Sequence, residues 1–200
     1  MNNIVVGITG ASGSIYGLRL IEELLRAQKQ VSVLLSNAGR QVLSFETGLQ
    51  LAEKPQDCQR QLRNRFDADD ELRYYAINDF FAPVASGSSA PDALVICPCS
   101  MGTVGRIAAG LSDSLLERVA DVILKERRQL LLVPRETPFN QLHLENLLRL
   151  SQAGAQILPA MPAFYQKPQS VEDLVDFVVG KVLDSLGVEH QLFKRWGADS

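Results

Sequence analysis

The feature that most constrains the fold of this chain is an alternation of short, uninterrupted apolar runs with longer segments of helical periodicity. Six apolar runs predict β-strands, at residues 4–8, 31–35, 73–77, 93–97, 130–133 and 155–158. The segments between them predict helices, at residues 14–28, 38–46, 101–109, 113–127, 140–153 and 170–186. The pattern in residues 50–70 is mixed and predicts no single element.

Continuous apolar strands that alternate with helices are typical of a parallel sheet covered on both faces. We therefore expect an α/β fold, a three-layer Rossmann-like (flavodoxin-like) open parallel sheet with helices on both faces. The length of 200 residues favours a single domain over residues 1–200. The short amphipathic tail, residues 187–200, is expected to pack on its own fold or on a neighbouring subunit.

Composition excludes several classes of protein. The net charge of −3 lacks the basic field expected of a general nucleic-acid binder. The first residues lack the basic and apolar regions of a signal peptide, and no apolar run reaches the roughly 18 residues of a membrane span. Three cysteines, an odd number, rule out a fully paired disulfide framework. We expect a soluble, cytoplasmic protein.

Ligands of such folds bind beyond the carboxyl ends of the strands. This rule predicts that the ligand lies among five loops, at residues 9–13, 36–37, 78–90, 98–103 and 134–139. The first loop, 9–13, is rich in glycine, which allows close approach of a ligand, and it precedes a helix whose N-terminus attracts anions. Glycine also serves tight turns for structural reasons alone.

Strand two tests the hypothesis of a nicotinamide cofactor, because its end should carry an acid for the ribose or a nearby arginine for a 2′-phosphate. The strand is followed by Ser36 and Asn37, and Arg40 lies a few residues into the next helix. The absence of the acid weakens that hypothesis. Ser36 and Asn37 either bind a ring edge or sugar hydroxyl or cap the helix.

The loop after strand four combines small and hydroxyl residues, Ser100 to Thr103, at a helix start. It is either a second anion-binding loop or an ordinary cap made by Ser100. Cys97 and Cys99 have no further pair at zinc spacing, and Cys99 has no base nearby that would make it a nucleophile. The small, polar loop 83–90 is either a connector or a segment that wraps the ligand.

The densest charged segment is 117–136. Arg118, Asp121, Lys125 and Arg128 share one helix face, which is either a solvated face or a binding surface. Arg135 and Glu136 directly follow strand five, where an arginine binds phosphate and a glutamate acts as acid or base.

A second set of charged and aromatic groups lies near the C-terminus. Tyr165 and Lys167 in the loop after strand six, with Lys181 on the last helix, would suit a phosphate if they converge.

Five segments together resemble the UbiX-type flavin prenyltransferases. They are TGASGSIYG, ASGSSAP, CPCSMGT, LKERRQLLLVPRETPF and FYQKPQSVEDLVDFVVGK, and the likeness runs from residue 4 to about residue 196. The resemblance implies an enzyme that joins FMN, through N5 and C6, to the dimethylallyl group of dimethylallyl monophosphate. It also implies that prenylated FMN passes to a UbiD-type decarboxylase in ubiquinone biosynthesis, and that the enzyme is a dodecamer with active sites between subunits.

The resemblance also implies roles for individual residues. The residues expected to contact the flavin are Gly10, Ala11, Ser12, Ser36, Ser100, Met101, Gly102, Thr103 and Arg135. The residues expected to bind the donor phosphate and the prenyl group are Tyr165, Lys181, Arg118, Lys125 and Phe80. Catalytic roles fall to Ser12, Glu46, Glu136 and Lys125. No DDxxD-type carboxylate cluster for a magnesium-bound pyrophosphate is present, which favours a metal-independent reaction of a monophosphate.

Three alternatives stay open on the sequence. A flavin-dependent Cys-decarboxylase-like enzyme would need a catalytic histidine near the flavin, whereas His143 and His190 are expected outside the ligand-edge loops. An NADP-dependent reductase lacks both its ribose acid and a Tyr-x-x-x-Lys pair. A non-catalytic FMN carrier for a decarboxylase would show the same binding residues, so that only turnover distinguishes it.

Overall fold

The structure, a computed structural model, describes residues 2–193. Its six strands form one parallel sheet in the order β3-β2-β1-β4-β5-β6. The strands are β1 (Asn3–Ile8), β2 (Gln30–Leu35), β3 (Leu72–Tyr75), β4 (Ala93–Cys99), β5 (Gln129–Pro134) and β6 (Gln156–Ile157). The helices are α1 (Ser14–Arg26), α2 (Asn37–Thr47), α3 (Pro55–Phe66), α4 (Met101–Ala108), α5 (Leu115–Lys125), α6 (Gln141–Gln152) and α7 (Val171–Leu186).

The predicted fold class is confirmed, and the strand order is that of the Rossmann-like doubly wound sheets. The order reverses between β1 and β4, and loops 9–13 and 100–103 leave these two strands side by side. The helix that the sequence did not resolve is α3. Its only buried side chains are Cys58 and Leu62, so the rest of its residues give no apolar periodicity.

Two apolar layers cover the sheet. One contains the buried side chains of α1, α2, α3 and α7, for example Ile21, Leu43 and Val179. The other contains those of α4, α5 and α6, for example Val104 and Leu150. A residue on the outer side of α7 and one on the outer side of α5 therefore lie on opposite sides of the molecule.

The connection from β3 to β4 contains no α-helix. It runs from the carboxyl end of one strand to the amino end of the other, through two short 3-10 turns, Pro83–Ala85 and Gly87–Ser89. Val84 and Ala85 are buried in the second apolar layer. The expectation that all of loop 78–90 lies at the ligand edge is therefore wrong, because only its first residues do.

The described part of the tail packs against α7. Val188 is buried, Leu192 packs on the first apolar layer, and the Phe193 ring centroid lies 5.3 Å from that of Phe177. Residues 194–200, including Trp196, lie outside the described residues. Within residues 2–193, every helix is too short or too polar to cross a lipid bilayer.

Candidate active site

Loops 9–13 and 98–103 are joined at the reversal point of the sheet by one threonine. Thr9 is fully buried. Its hydroxyl donates to the Pro98 carbonyl at 2.9 Å and accepts from the Ser100 N–H at 2.8 Å. Its backbone N–H also donates to Pro98, at 3.2 Å. The two loops thus form one hydrogen-bonded unit, with Thr9 as a component that the sequence analysis did not single out.

Glycines allow this unit to pack closely on its neighbours. A Cβ at Gly10 would lie 2.6 Å from the Ala38 Cβ on α2, and a Cβ at Gly17 would lie 2.3 Å from the Cys97 carbonyl oxygen. Real Cβ atoms do not approach so closely. At these two positions glycine is required by packing, which is the structural alternative that the sequence left open.

Glu46, on the last turn of α2, reaches across to the N-terminus of α1. Its carboxylate accepts from the Gly13 N–H at 3.0 Å and from the Ser14 N–H at 2.8 Å, and the Ser12 hydroxyl also bonds to it. Partial burial raises the pKa of Glu46, but these hydrogen bonds outweigh it and hold the pKa below the usual range. Glu46 is therefore ionised at neutral pH, and its charge occupies the helix end that was expected to receive a ligand anion.

The N-terminus of α4 is open instead. Ser100 caps it by accepting from the Thr103 N–H at 3.3 Å, and the two hydroxyl oxygens of these residues lie 3.0 Å apart. The N–H groups of Met101 and Gly102 donate to no acceptor within residues 2–193. Gly102 is exposed, and a Cβ there would meet only the Ser100 Oγ, at 4.0 Å. Free N–H groups at a helix start are suited to a ligand anion or carbonyl.

Arg135, which directly follows β5, binds the first loop, residues 9–13. Its Nε donates to the Ser12 carbonyl at 3.1 Å, and its backbone N–H donates to the Cys99 carbonyl at 3.3 Å. Next to it lies Tyr16, whose pKa is raised by burial. The following residue, Glu136, accepts a hydrogen bond from the Thr137 N–H at 3.0 Å. Arg135 therefore brings the end of β5 into the same site.

Two predicted polar groups have local partners. The Ser36 hydroxyl accepts from the Gly39 N–H at 2.9 Å, which is the capping alternative. The Arg40 guanidinium is taken up by acceptors of the protein, since it donates to the carbonyls of Leu51 and Ala52 and to the Tyr74 hydroxyl. Arg40 is thus not placed to receive a 2′-phosphate, which counts further against a nicotinamide cofactor.

The cysteines at the end of β4 are not reactive groups. Cys97 and Cys99 are both completely buried. Burial raises the pKa of both thiols far above the usual range, so both stay protonated.

Tyr165 and Lys181 lie together on the α7 side of the molecule. The Tyr165 ring contacts Phe177 edge to face at 5.9 Å, and the Lys181 Nζ lies 5.8 Å from the centre of the same ring. Tyr165 and Lys181 therefore both contact the Phe177 ring.

Arg118 and Lys125 lie on α5, in the opposite layer. The Arg118 Nε donates to the Ala85 carbonyl at 3.1 Å, and its guanidinium pairs with Asp121 at 2.9 Å. Lys125, at the end of α5, pairs with Glu126 beside Gly87. Loop 83–90 thus packs beside Arg118 and Lys125 on α5. Within one chain, these two residues and Lys181 lie on opposite sides of the sheet.

Phe80 and the histidines complete the predicted residues. Phe80 follows β3 and is 45% exposed. His143 lies in the first turn of α6, where its Nδ1 accepts from the Asn140 N–H at 3.4 Å. His143 therefore lies outside the ligand-edge loops, as expected, and its imidazole is part of the cap of α6. His190 is buried against α7.

Comparisons with known proteins show the family and the fold of the chain. The profile of the Flavoprotein family matches residues 1–183. A flavin prenyltransferase UbiX from Pseudomonas aeruginosa is 52% identical over 195 residues, which cover 97% of this chain and 93% of that protein.

Two solved structures share the fold over almost the whole chain. A crystal structure of AnUbiX in complex with FMN and dimethylallyl pyrophosphate is 39% identical, covers 98% of both chains and has a TM-score of 0.88. A dodecameric FMN-dependent UbiX-like decarboxylase from Escherichia coli O157:H7 is 38% identical, covers 98% of this chain and 99% of its own, and has a TM-score of 0.86.

Proposed function

The chain belongs to the Flavoprotein family and is a flavin prenyltransferase, and on this premise we propose that it transfers the dimethylallyl group of dimethylallyl monophosphate to N5 and C6 of reduced FMN. The observation that carries the proposal is the joining of Ser12, Glu46 and Arg135 in one hydrogen-bonded site where the strand order reverses. Ligands of doubly wound sheets bind at that point.

The described residues fit a flavin mononucleotide. The open N-terminus of α4, from Ser100 to Thr103, offers free N–H groups and hydroxyls to the ligand. Gly10 and Ala11 in the first loop and Ser36 at the end of β2 line the same edge. Arg135 adds a cation. Bound reduced FMN supplies the two nucleophilic positions of the reaction.

We infer that the donor phosphate is held by residues of two copies of the chain. Tyr165 and Lys181 lie on the α7 face, whereas Arg118 and Lys125 lie on the α5 face. The sheet separates the two groups within one copy, so only neighbouring copies can bring them together. The dodecameric assembly of the E. coli relative supports this arrangement.

The basic residues make phosphate a better leaving group. Transfer breaks the C–O bond of the donor, forms a bond from one end of the allyl unit to N5, and releases phosphate. Lys125, Arg118 and Lys181 stabilise the charge that develops on the phosphate oxygens, and Glu136 passes a proton to the departing group. No metal enters this scheme, because lysine and arginine supply the positive charge.

Ring closure needs a second set of groups. Closure requires a proton at the central carbon of the allyl unit, so that its other end becomes a tertiary cation and bonds to C6, and one proton leaves from each of N5 and C6. Ionised Glu46, bonded to the Ser12 hydroxyl, is the proton acceptor on this side. Phe80 lines the prenyl pocket, where an aromatic face stabilises a cation without attacking it.

The product of the proposed reaction is used by another enzyme. We propose that prenylated FMN serves a UbiD-type decarboxylase, with ubiquinone biosynthesis as the pathway. We also propose that residues 1–200 act as one domain within a homododecamer.

A product assay tests the proposed function. Purified protein is incubated without oxygen with reduced FMN and either dimethylallyl monophosphate or dimethylallyl pyrophosphate, and the extracted flavin is analysed by mass spectrometry. We expect a flavin heavier by one C5 unit, formed faster from the monophosphate. Unchanged flavin on protein that binds FMN would favour the FMN carrier or a Cys-decarboxylase-like enzyme instead.

A further inference from the structure

The Lys181 side chain lies between two aromatic rings. Its Nζ is 5.8 Å from the centre of the Phe177 ring and 5.2 Å from that of Phe193. Phe177 belongs to α7, whereas Phe193 belongs to the tail that follows it. An ammonium group within about 6 Å of a ring centre is attracted by the ring electrons. One side of the Lys181 environment is therefore supplied by the tail.

Gly180 shows that α7 is built to receive the tail. It lies in the interior of α7, where glycine is a poor helix former. A Cβ at this position would lie 2.3 Å from a Phe193 ring carbon and 2.7 Å from a His190 ring carbon. Only glycine leaves room for the two rings. Where the tail docks, α7 therefore contains a residue of low helix propensity.

A hydrogen-bonded chain connects the tail to the same lysine. The His190 Nδ1 accepts from the Leu192 N–H at 3.2 Å, which assigns the ring proton to Nε2. Nε2 lies 3.3 Å from an Asp184 carboxylate oxygen and donates to it. The other Asp184 oxygen lies 3.9 Å from the Lys181 Nζ. His190, which is buried, thus orients the carboxylate that accompanies Lys181.

These contacts border an open cavity of about 390 Å³ between α7 and the end of β6. Its lining combines apolar side chains, among them Leu158, Met161 and Phe177, with the Lys181 ammonium. Tyr165 contacts the Phe177 ring from the same side of α7. The two residues assigned to the donor phosphate are therefore both held through Phe177.

We propose that residues 188–193 are a positioning element that fixes the Lys181 ammonium for the donor phosphate, with Phe193 and His190 as positioning residues. The inference rests on the proposed function, because that function makes Lys181 a phosphate ligand. A lysine on a flexible stem loses much rotamer freedom when it binds phosphate. The rings and Asp184 hold the side chain beforehand, so less of that freedom remains to be lost on binding.

Two variants remove the tail contact without touching Lys181. Phe193→Leu keeps apolar bulk but removes the ring, and Gly180→Ala blocks docking while improving helix propensity. Phe193→Tyr, which keeps the ring, is the conservative rescue. Phe66→Leu removes an equivalent cation–ring contact with Arg65, 5.8 Å, elsewhere on the molecule.

A second control matches the change from glycine to alanine. Gly105→Ala places a Cβ in α4, where the nearest atom beyond its own turn is 3.5 Å away. The measurements are the KM for dimethylallyl monophosphate, the affinity for inorganic phosphate by calorimetry, and the Kd for FMN.

We expect Phe193→Leu and Gly180→Ala to raise the donor KM and weaken phosphate binding by roughly three- to tenfold, the range of one cation–ring contact. The Kd for FMN should stay within about twofold of wild type in both variants, and Phe193→Tyr and the two controls should match wild type in all three measurements. Unchanged donor KM and phosphate affinity in the two test variants would overturn the inference, as would an equal weakening of FMN binding. Wild-type protein that binds phosphate but forms no prenylated flavin would instead contradict the proposed function.

Discussion

Replacing Glu46 by glutamine tests how the first loop is held. The carboxylate accepts hydrogen bonds from the N–H groups of Gly13, at 3.0 Å, and Ser14, at 2.8 Å, at the positive end of α1. Glutamine keeps one accepting oxygen and removes the charge. A charge at a helix N-terminus stabilises a protein by about 0.3–1 kcal/mol at the surface and up to about 2 kcal/mol when partly buried.

Glu46 is an exposed residue, so solvent screening reduces the stabilisation that its charge gives to the helix N-terminus. We expect Glu46→Gln to lower the free energy of unfolding by about 1 kcal/mol at pH 7, and the thermal midpoint by roughly 2–4 °C for a domain of this size. Glu53→Gln is the matched control, because Glu53 is exposed and has no hydrogen-bond partner within residues 2–193. It should change neither quantity.

The effect of Glu46 should depend on pH in a defined direction. Hydrogen bonds hold the pKa of folded Glu46 below its value in the unfolded chain, which is about 4.3. A depressed pKa gives stability that is present above the unfolded value and is lost as the pH falls through the folded value. Urea unfolding of the two proteins from pH 7 to pH 3.5 should therefore show a difference that narrows as the pH falls below the unfolded value. A difference that is the same at every pH would refute the proposed charge–helix interaction.

Three further predictions concern the loops around the site. Thr9→Val leaves the Pro98 carbonyl and the Ser100 N–H without their partner, and should lower the free energy of unfolding by about 2–3 kcal/mol, measured by urea titration. Cys97 and Cys99 should resist a thiol reagent in the native protein at pH 8 and react in urea; rapid native labelling would contradict their burial. Arg135→Lys should weaken FMN binding about tenfold, measured by flavin fluorescence, because lysine cannot reproduce the contact to the first loop; wild-type affinity would contradict this.

The strands and most helices were predictable, because buried parallel strands and amphipathic helices leave a direct mark on apolar periodicity. Ile4 to Ile8 and Ala93 to Cys97 are examples, and both belong to strands of the structure. Helix α3 left no such mark, since it buries only Cys58 and Leu62.

The site was predictable in its loops and less so in its contacts. Glycine and hydroxyl residues pointed to loops 9–13 and 98–103, but nothing local showed that Glu46, 33 residues beyond Gly13, would occupy the α1 N-terminus. Only the family resemblance assigned Lys125 and Lys181 to one phosphate, and the sequence itself did not show that the sheet separates them within a chain. Such long-range relations depend on topology, and periodicity carries no information about them.

Subunit complementation tests the central claim most directly. Lys125→Ala and Lys181→Ala chains, carrying different tags, are co-expressed, and mixed oligomers are purified through both tags. Each chain alone should form little prenylated FMN from reduced FMN and dimethylallyl monophosphate, because each homo-oligomer lacks one lysine at every site. Mixed oligomers should regain a substantial part of the wild-type product, measured by mass spectrometry, since some sites then contain both lysines. Mixed oligomers as inactive as their parents, beside active wild-type protein, would contradict a phosphate site shared between copies.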